Sequence, residues 1–425
     1  MAMKRMTVVL GVALAGALMS ASAQVSFTHL KSVDLSSYFA TNGQQGDLAS
    51  DVAFDGANLY IAGMSNSTGS QPVGVLKISN VLSLDAGAWG YSPLISLSQA
   101  GQRSTYVVYR DGFLYLGTGL GDGSNNAANT GIRKYDAQTG TQVSGWNGTG
   151  VVLPSDLDGS GRAECIEIDP GYPGSGQPSL AVLARGRGII FRRDFATGGA
   201  LPNILSLPYK DCATSTDSTT GMRDITFSPE GDAYMRVDNS IFYAPRTAAG
   251  SVANDRACRI FDFDSDNPFQ ILINIHYLRT SAGDYLLYNR RGTPTSLNKI
   301  FVATGSGATW QNYVELTGDE PLPNGSTPNP FGGNIFNFTS GSGPDPSKGD
   351  VNLDGTVDDA DLLAILFAFG SSDAAVDVNS DGTVDDADLL TVLFNFGSSP
   401  QAQYLFVLHS TIGTDRLDIY RVDVN

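Results

Sequence analysis

The chain has 425 residues, 41% of them hydrophobic, with 43 acidic and 26 basic side chains and a formal charge of −17. That balance argues against nucleic acid as a partner, because phosphate binding needs clustered Lys and Arg. The length supports one large or two ordinary domains with an apolar core, so disulfide stapling is not required for folding.

The first 23 residues combine Lys4 and Arg5, an apolar stretch from Val8 to Met19, and Ala21-Ser22-Ala23 ahead of Gln24. This is the layout of a cleaved secretory signal. The apolar run is short for a membrane span and no later segment approaches one, so the expected product is secreted, without a span.

From residue 24 to 341 the chain shows short β-rich runs, frequent Gly and little helical periodicity. Asp-Gly or Glu-Gly separates paired apolar runs in "DVAFDGANLYIAG", "YVVYRDGFLYLGTG" and "DITFSPEGDAYMRV", a hairpin signal. Third strands follow in "VGVLKIS", "GIRKYDAQTG" and "IIFRRDFATGG". Gly56 and Gly112 are 56 residues apart and Gly112 and Gly231 are 119 apart, close to twice that. Such a period predicts a mainly β fold, a β-propeller of about six blades, with seven blades or a sandwich as alternatives.

Several candidate sites fall in this region. In "DLDGSGRAE", Asp156, Asp158, Ser160, Arg162 and Glu164 take positions 1, 3, 5, 7 and 9 of an ion loop with Gly161 at position 6. The stretch resembles the short Ca²⁺ loops of FG-GAP-type propeller blades, and a Gly-rich hairpin explains the same letters. Cys165, Cys212 and Cys258 are too few and too widely spaced for a disulfide framework or a paired-cysteine metal site. Three buried thiols is the plainer reading, and one bridge plus a free thiol is the alternative. His29, His276 and His409 lack metal-ligand spacing and are read as structural or surface residues. "GTGLGDGSNN" has the glycine density of a phosphate loop but lacks the GK[ST] ending and follows a hairpin strand, so it is read as a loop. No catalytic constellation is legible.

The acidity is concentrated further on. Residues 349–397 hold 11 Asp and no Lys, Arg or Glu, leaving 32 acids against 26 bases, or −6, for the rest. "DVNLDGTVDDADLLAILFAFG" from Asp350 returns 27 residues later as "DVNSDGTVDDADLLTVLFNFG" from Asp377, with 4 of 21 positions changed. Asp350, Asn352, Asp354, Thr356, Asp358 and Asp361 occupy positions 1, 3, 5, 7, 9 and 12 of a 12-residue loop, and Asp377, Asn379, Asp381, Thr383, Asp385 and Asp388 repeat the series. An EF-hand-type loop supplies oxygens to Ca²⁺ from these positions, with glycine at position 6, here Gly355 and Gly382. So many carboxylates in one loop repel each other unless a cation neutralises them, which predicts two Ca²⁺ and metal-driven folding.

Position 12 is Asp, not Glu, and only the exit helix of each loop is present. In this the segment resembles the dockerin family, whose type I modules are two loop-helix repeats about a pseudo-twofold axis. The resemblance implies Ca²⁺-dependent docking on a cohesin domain, with Asp359-Ala360 and Asp386-Ala387 at the recognition positions. These Asp residues and the apolar helices depart from the pairs common in cellulosomal members. Leu362, Ile365, Leu366 and Phe369, flanked by Leu363 and Phe367, and the matching Leu389, Val392, Leu393 and Phe396 give more apolar surface than two short helices cover. It must meet a partner or the protein's own propeller.

"GNIFNFTSG" reads as a strand before the repeat and "QYLFVLHSTIGTDRLDIYRVDVN" as two strands after it, so the small α-helical module is expected inside the last blade. The expected division is a leader at 1–23, a propeller at 24–341, linkers and module at 342–400 (repeats 349–370 and 376–397), and final strands at 401–425. The N-terminal strand "VSFTHLKSVDL" would close the ring. The functional expectation is a secreted Ca²⁺-binding protein, docked by its module to a partner that includes a cell surface among its options, whose propeller binds carbohydrate or protein in polysaccharide degradation. Two alternatives stand beside it: a polysaccharide-active hydrolase or lyase on the propeller, and a repeat that is only a Ca²⁺-stabilised structural insert.

Overall fold

A computed structural model describes residues 24–38, 49–63, 73–96, 102–120, 131–157, 163–172, 176–184, 189–205, 209–212, 217–218, 222–247, 256–263, 271–291, 298–332, 334–411 and 414–425. The expected leader lies outside these residues. Six antiparallel sheets follow one another along the chain. Blade 1 is Ala49–Phe54, Leu59–Gly63, Val73–Ser79 and Gly90–Ser96; blade 2 is Gln102–Arg110, Phe113–Leu120 and Gly131–Asp136. Blade 3 is Ala163–Asp169, Ser179–Ala184, Ile190–Arg193 and Ala200–Leu205; blade 4 is Met222–Phe227, Ala233–Val237, Ser240–Ala244 and Arg256–Asp262. Blade 5 is Ile271–Thr280, Gly283–Arg291, Lys299–Ser306 and Thr309–Leu316; blade 6 is Asn334–Pro344, Gln401–Thr411, Thr414–Val424 and, from the other end of the chain, Val25–Asp34. The first strands of successive blades touch in a closed cycle, and the chain is a six-bladed β-propeller.

Strand alternation explains the nearly unbroken apolar runs. In Leu59–Gly63, Leu59 and Ile61 pack toward blade 6, whereas Tyr60 and Ala62 pack toward blade 2. Each blade is thus apolar on both faces, and one apolar cluster fills each of the six blade junctions. The hairpin signal at Asp111-Gly112 is realised as a turn with both residues at positive φ (50° and 81°), the twist that suits a two-residue connection.

The ring is closed by strand pairing between the two ends of the chain. Val25–Asp34 runs antiparallel to Thr414–Val424, from Val25↔Val424 to Asp34↔Arg416. A buried polar cluster sits beneath that seam. Asp418 accepts from Arg416 Nε and Nη2 at 2.9 and 2.8 Å and from His409 Nε2 at 2.5 Å, and His29 Nε2 lies 3.2 Å away. His409 Nδ1 accepts the Gly332 amide (3.1 Å), which leaves its proton on Nε2, and burial holds its pKa below the usual imidazole value. Burial opposes ionisation of Asp418, but hydrogen bonds from His29 and His409 and the Arg416 charge outweigh it and hold the carboxyl well below the carboxylate range.

One cysteine expectation is corrected. A short strand at Tyr209–Asp211 lies parallel to the outer strand of blade 4, Lys210↔Arg256, and brings Cys212 to Cys258 as a disulfide, while Cys165 is a buried free thiol. The three-thiol reading fails because an added edge strand, invisible in residue spacing, joins sites 46 residues apart.

Residues 345–400 leave the propeller between the first two strands of blade 6. Those strands pair to their ends at Pro344↔Gln401, so the first half of the expected linker "SGSGPDPSKG" is strand. The segment holds α1 (Asp359–Ala368) and α2 (Asp386–Asn395), the two α-helices among the described residues. None is long and apolar enough to cross a membrane.

Removing the acid of the buried seam cluster would leave Arg416 and two imidazoles without their shared acceptor. Asp418→Ala is expected to cost about 3–5 kcal/mol in urea unfolding, the range for stranding a buried charge, whereas removing a partly exposed pair such as Lys299–Glu315 should cost under about 1 kcal/mol.

Candidate functional site

The two acidic loops have one architecture. At position 6, Gly355 and Gly382 have φ of 91° and 95°, and their amides reach back to the position-1 carboxylates, Asp350 Oδ2 at 3.0 Å and Asp377 Oδ2 at 2.8 Å. Position 3 accepts the amide of position 5 in both loops at 2.9 Å, and position 5 accepts that of position 7 at 3.0 Å. Asp358 and Asp385 cap the helices by accepting from Ala360 and Ala387 amides at 2.8 Å. At position 12, Asp361 accepts the amides of Val351, Asn352 and Asp358, and Asp388 those of Asn379 and Asp385. The acid at position 12 therefore also ties the loop to its helix start.

The halves interlock. Val357 N donates to Ser398 O (2.9 Å) and Gly397 N to Val357 O (2.8 Å), while Val384 N donates to Ser371 O (2.9 Å) and Gly370 N to Val384 O (2.8 Å). Each loop is bonded to the tail of the other helix. Val357, Ile365, Val376, Val378, Val384 and Val392 form the small core between them.

Whether these residues suit a cation is decided by what remains unbonded. Asp350 is completely buried and its Oδ1 has no hydrogen-bond partner, which is costly for a carboxylate in a loop crowded with others. Burial, then the Asp361 and Asp354 charges, push its carboxyl up to about 6. A cation would remove both penalties, so the donor set fits Ca²⁺ chemistry. Among the described residues no three His, Cys, Asp or Glu side chains stand in ready metal-ligand geometry.

The helices leave their apolar residues open. Phe367 and Phe394 are 87% and 83% exposed, and Leu363, Leu366, Phe369, Leu390, Leu393 and Phe396 about half exposed. Ile365 and Val392 turn inward. The propeller does not cover this surface. The Asp359-Ala360 and Asp386-Ala387 pairs are exposed beside it.

The third ion loop is only partly placed. Asp156 is exposed, and its carboxylate accepts the Leu153 amide at 2.8 Å. Asp158, Ser160, Arg162 and the side chain of Glu164 lie outside the described residues, as do residues 121–126 of the glycine-rich loop.

A second constellation was missed in the sequence. The six first strands surround a central cavity of about 190 Å³ that includes Asp51, Cys165, Glu167, Asp224, His276 and Asn337 in its lining. Asp51 Oδ2 accepts Val107 N of the next blade at 2.7 Å, and Asn337 Nδ2 of the preceding blade donates to Oδ1. Asp224 Oδ2 likewise accepts Ile275 N of blade 5 at 2.8 Å, and His276 Nε2 lies 2.8 Å from Ser340 Oγ of blade 6. These side chains are stitches between blades. Their signal was the shared pattern Asp-apolar-X-Phe, in "DVAF" and "DITF".

Burial raises these acids: Asp51 well above the usual range, Glu167 up to about 7 and Asp224 up to about 6; it lowers His276 to about 4. At neutral pH Glu167 and Asp224 are near their titration points and the His276 imidazole is uncharged. Glu167 Oε1 accepts the neighbouring Ile168 amide at 2.7 Å.

No protein-family model matches the chain, and no curated protein matches it. Solved structures similar to it include an auxiliary nutrient binding protein from Bacteroides thetaiotaomicron (12% identity, 73% of this chain and 70% of that one, TM-score 0.44). Others are the allergen Mala s 1 of Malassezia sympodialis (9%, 88% and 92%, 0.41) and a putative exo-beta-1,3-galactanase from Bifidobacterium bifidum (14%, 64% and 93%, 0.41). Likenesses this loose carry no statement about activity.

The raised Glu167 makes stability depend on pH. A folded-state pKa above the unfolded value of 4.5 contributes stability that is complete below 4.5 and lost as pH rises through about 7. Glu167→Gln keeps the uncharged form at all pH values. It is expected to leave Tm unchanged at pH 4.5 and to raise stability at pH 8 by at most about 3 kcal/mol, read from thermal unfolding across that window.

Proposed function

We propose that this is a secreted Ca²⁺-binding protein in which residues 349–397 form a dockerin-like docking module and the propeller presents a separate binding face. The observation that carries the reading is the uncovered apolar surface of α1 and α2, which occurs in equivalent pairs on two interlocked halves. Exposed large apolar side chains on an otherwise strongly acidic module are the kind of surface that a protein partner covers. The loops supply the order that makes those helices rigid, with Ca²⁺ held by Asp350, Asn352, Asp354, Thr356, Asp358 and Asp361 in the first and Asp377, Asn379, Asp381, Thr383, Asp385 and Asp388 in the second. The partner fitting this reading is a cohesin-type domain, and the setting is polysaccharide breakdown with the propeller binding carbohydrate or protein.

A second reading has one observation in its favour. Two of the cavity's raised carboxyl groups, Glu167 and Asp224, are suited to proton transfer near neutrality, which would accommodate a polysaccharide-active enzyme. Hydrolysis or cleavage of soluble polysaccharides that disappears in Glu167→Gln, with folding intact, would favour it over a purely binding propeller.

Docking is tested by calorimetry of the full chain against a panel of cohesin-type domains, with and without EDTA. Binding should require Ca²⁺, and Phe367→Asp combined with Phe394→Asp should weaken it by more than about 100-fold while the helical circular dichroism persists. Binding that survives this double replacement would remove the helix faces from the docking role. Loss of helix on chelation, with the β signal retained, is the companion expectation for the ion loops.

A further inference from the structure

The two loops differ at one position, and that position touches the propeller. Leu353, fourth in the first loop, packs against the apolar cluster joining blades 6 and 1, whose members include Trp89, Phe406 and Leu408. Its equivalent in the second loop is Ser380, which is exposed. Both have left-handed backbone, φ 62° and 58°, so the loop geometry itself demands that conformation. Leucine is a costlier occupant of it than serine or asparagine, so the loop gives no reason for a leucine there. The contact with the propeller does.

Further ties hold the base of the module, one of them next to the first loop. Arg421 Nη1, on the strand that closes the ring, donates to Ser347 Oγ at 2.7 Å, just before the loop begins. Tyr404 Oη donates to Pro344 O at 2.7 Å, and Asp345 N to Pro400 O at 3.1 Å. The loops also differ at position 1. Asp350 is fully enclosed with Oδ1 unpartnered, whereas Asp377 uses both oxygens, accepting Asp381 N at 3.2 Å and Gly382 N at 2.8 Å.

We infer that the first loop is a coupling element: a cation bound there stabilises the closure between blades 6 and 1 through Leu353, whereas a cation in the second loop orders only the module. The inference rests on the Ca²⁺ reading of the loops. It turns on flanking residues: Leu353 lies between two candidate ligands, Asn352 and Asp354, so ordering those oxygens around an ion also holds the leucine side chain in its propeller contact.

The experiment uses the full chain with CaCl₂ or EDTA. Calorimetry counts the ions bound, and the fluorescence of Trp89, in a Trp146→Phe/Trp310→Phe background, follows melting of the blade 6–blade 1 junction. The unsubstituted junction should melt several degrees higher with Ca²⁺. Leu353→Ser, which installs the residue of the second copy, should still bind two ions but lose that shift. Asp354→Ala and Asp381→Ala, both at exposed fifth positions, form the matched pair: the first should abolish the shift and the second should preserve it. Two ions bound with no junction shift, or equal shifts in the matched pair, would overturn the coupling while leaving the Ca²⁺ reading intact. Absence of Ca²⁺ binding at both loops would overturn both.

Discussion

A propeller is a ring that must be held shut, and here the closure depends on pairing of the chain's two ends in blade 6. Six apolar junctions give the ring its cohesion, but each is non-directional and would tolerate an open arc. The strand Val25–Asp34, laid against Thr414–Val424, converts the arc into a cycle. The polar cluster around Asp418 adds direction, since its histidines come from the first and second-last strands of the chain and its arginine from the last. Around the central cavity, Asp51, Asp224 and His276 make a second, smaller girdle from blade to blade. The seam and the girdle resist the same failure, one at the rim and one at the axis.

Blade 6 also carries the module. An insertion of 56 residues between paired strands is tolerable because the tip of a hairpin has few buried contacts, and because the inserted piece brings its own core. The module is nevertheless not a free pendant. Leu353 and Ser347 attach it on one side, and the residues that distinguish its two halves include the one that attaches.

Much of the fold was legible because its signals are local. Turn residues in "FDGAN" and "YRDGF", alternating apolar faces and the exact offset of the acidic repeat are properties of short stretches, and they located blades, module and chain ends. What was hidden depends on three-dimensional proximity. Cys212 and Cys258 meet only because an extra strand runs beside blade 4. Asp51 and Asp224 carry no signal of their own until the ring brings the next blade's amides to them. The Leu353/Ser380 difference has no meaning in the sequence, because a difference in one loop cannot be read without the surface opposite it.

The attachment has a mechanical side. Both ends of the module join blade 6 at the same level, Pro344 beside Gln401, so a pull on the module draws two neighbouring strands in the same direction. Nothing is prised apart between them. The load falls instead along the ladder from Gln403↔Val422 to Thr411↔Thr414, in shear, where the hydrogen bonds share it rather than failing one after another. Force applied to the module would therefore enter the closing blade first, in the part of the ring where the chain ends pair, and reach blades 1 and 5 through the bonds of Asn337 and Ser340.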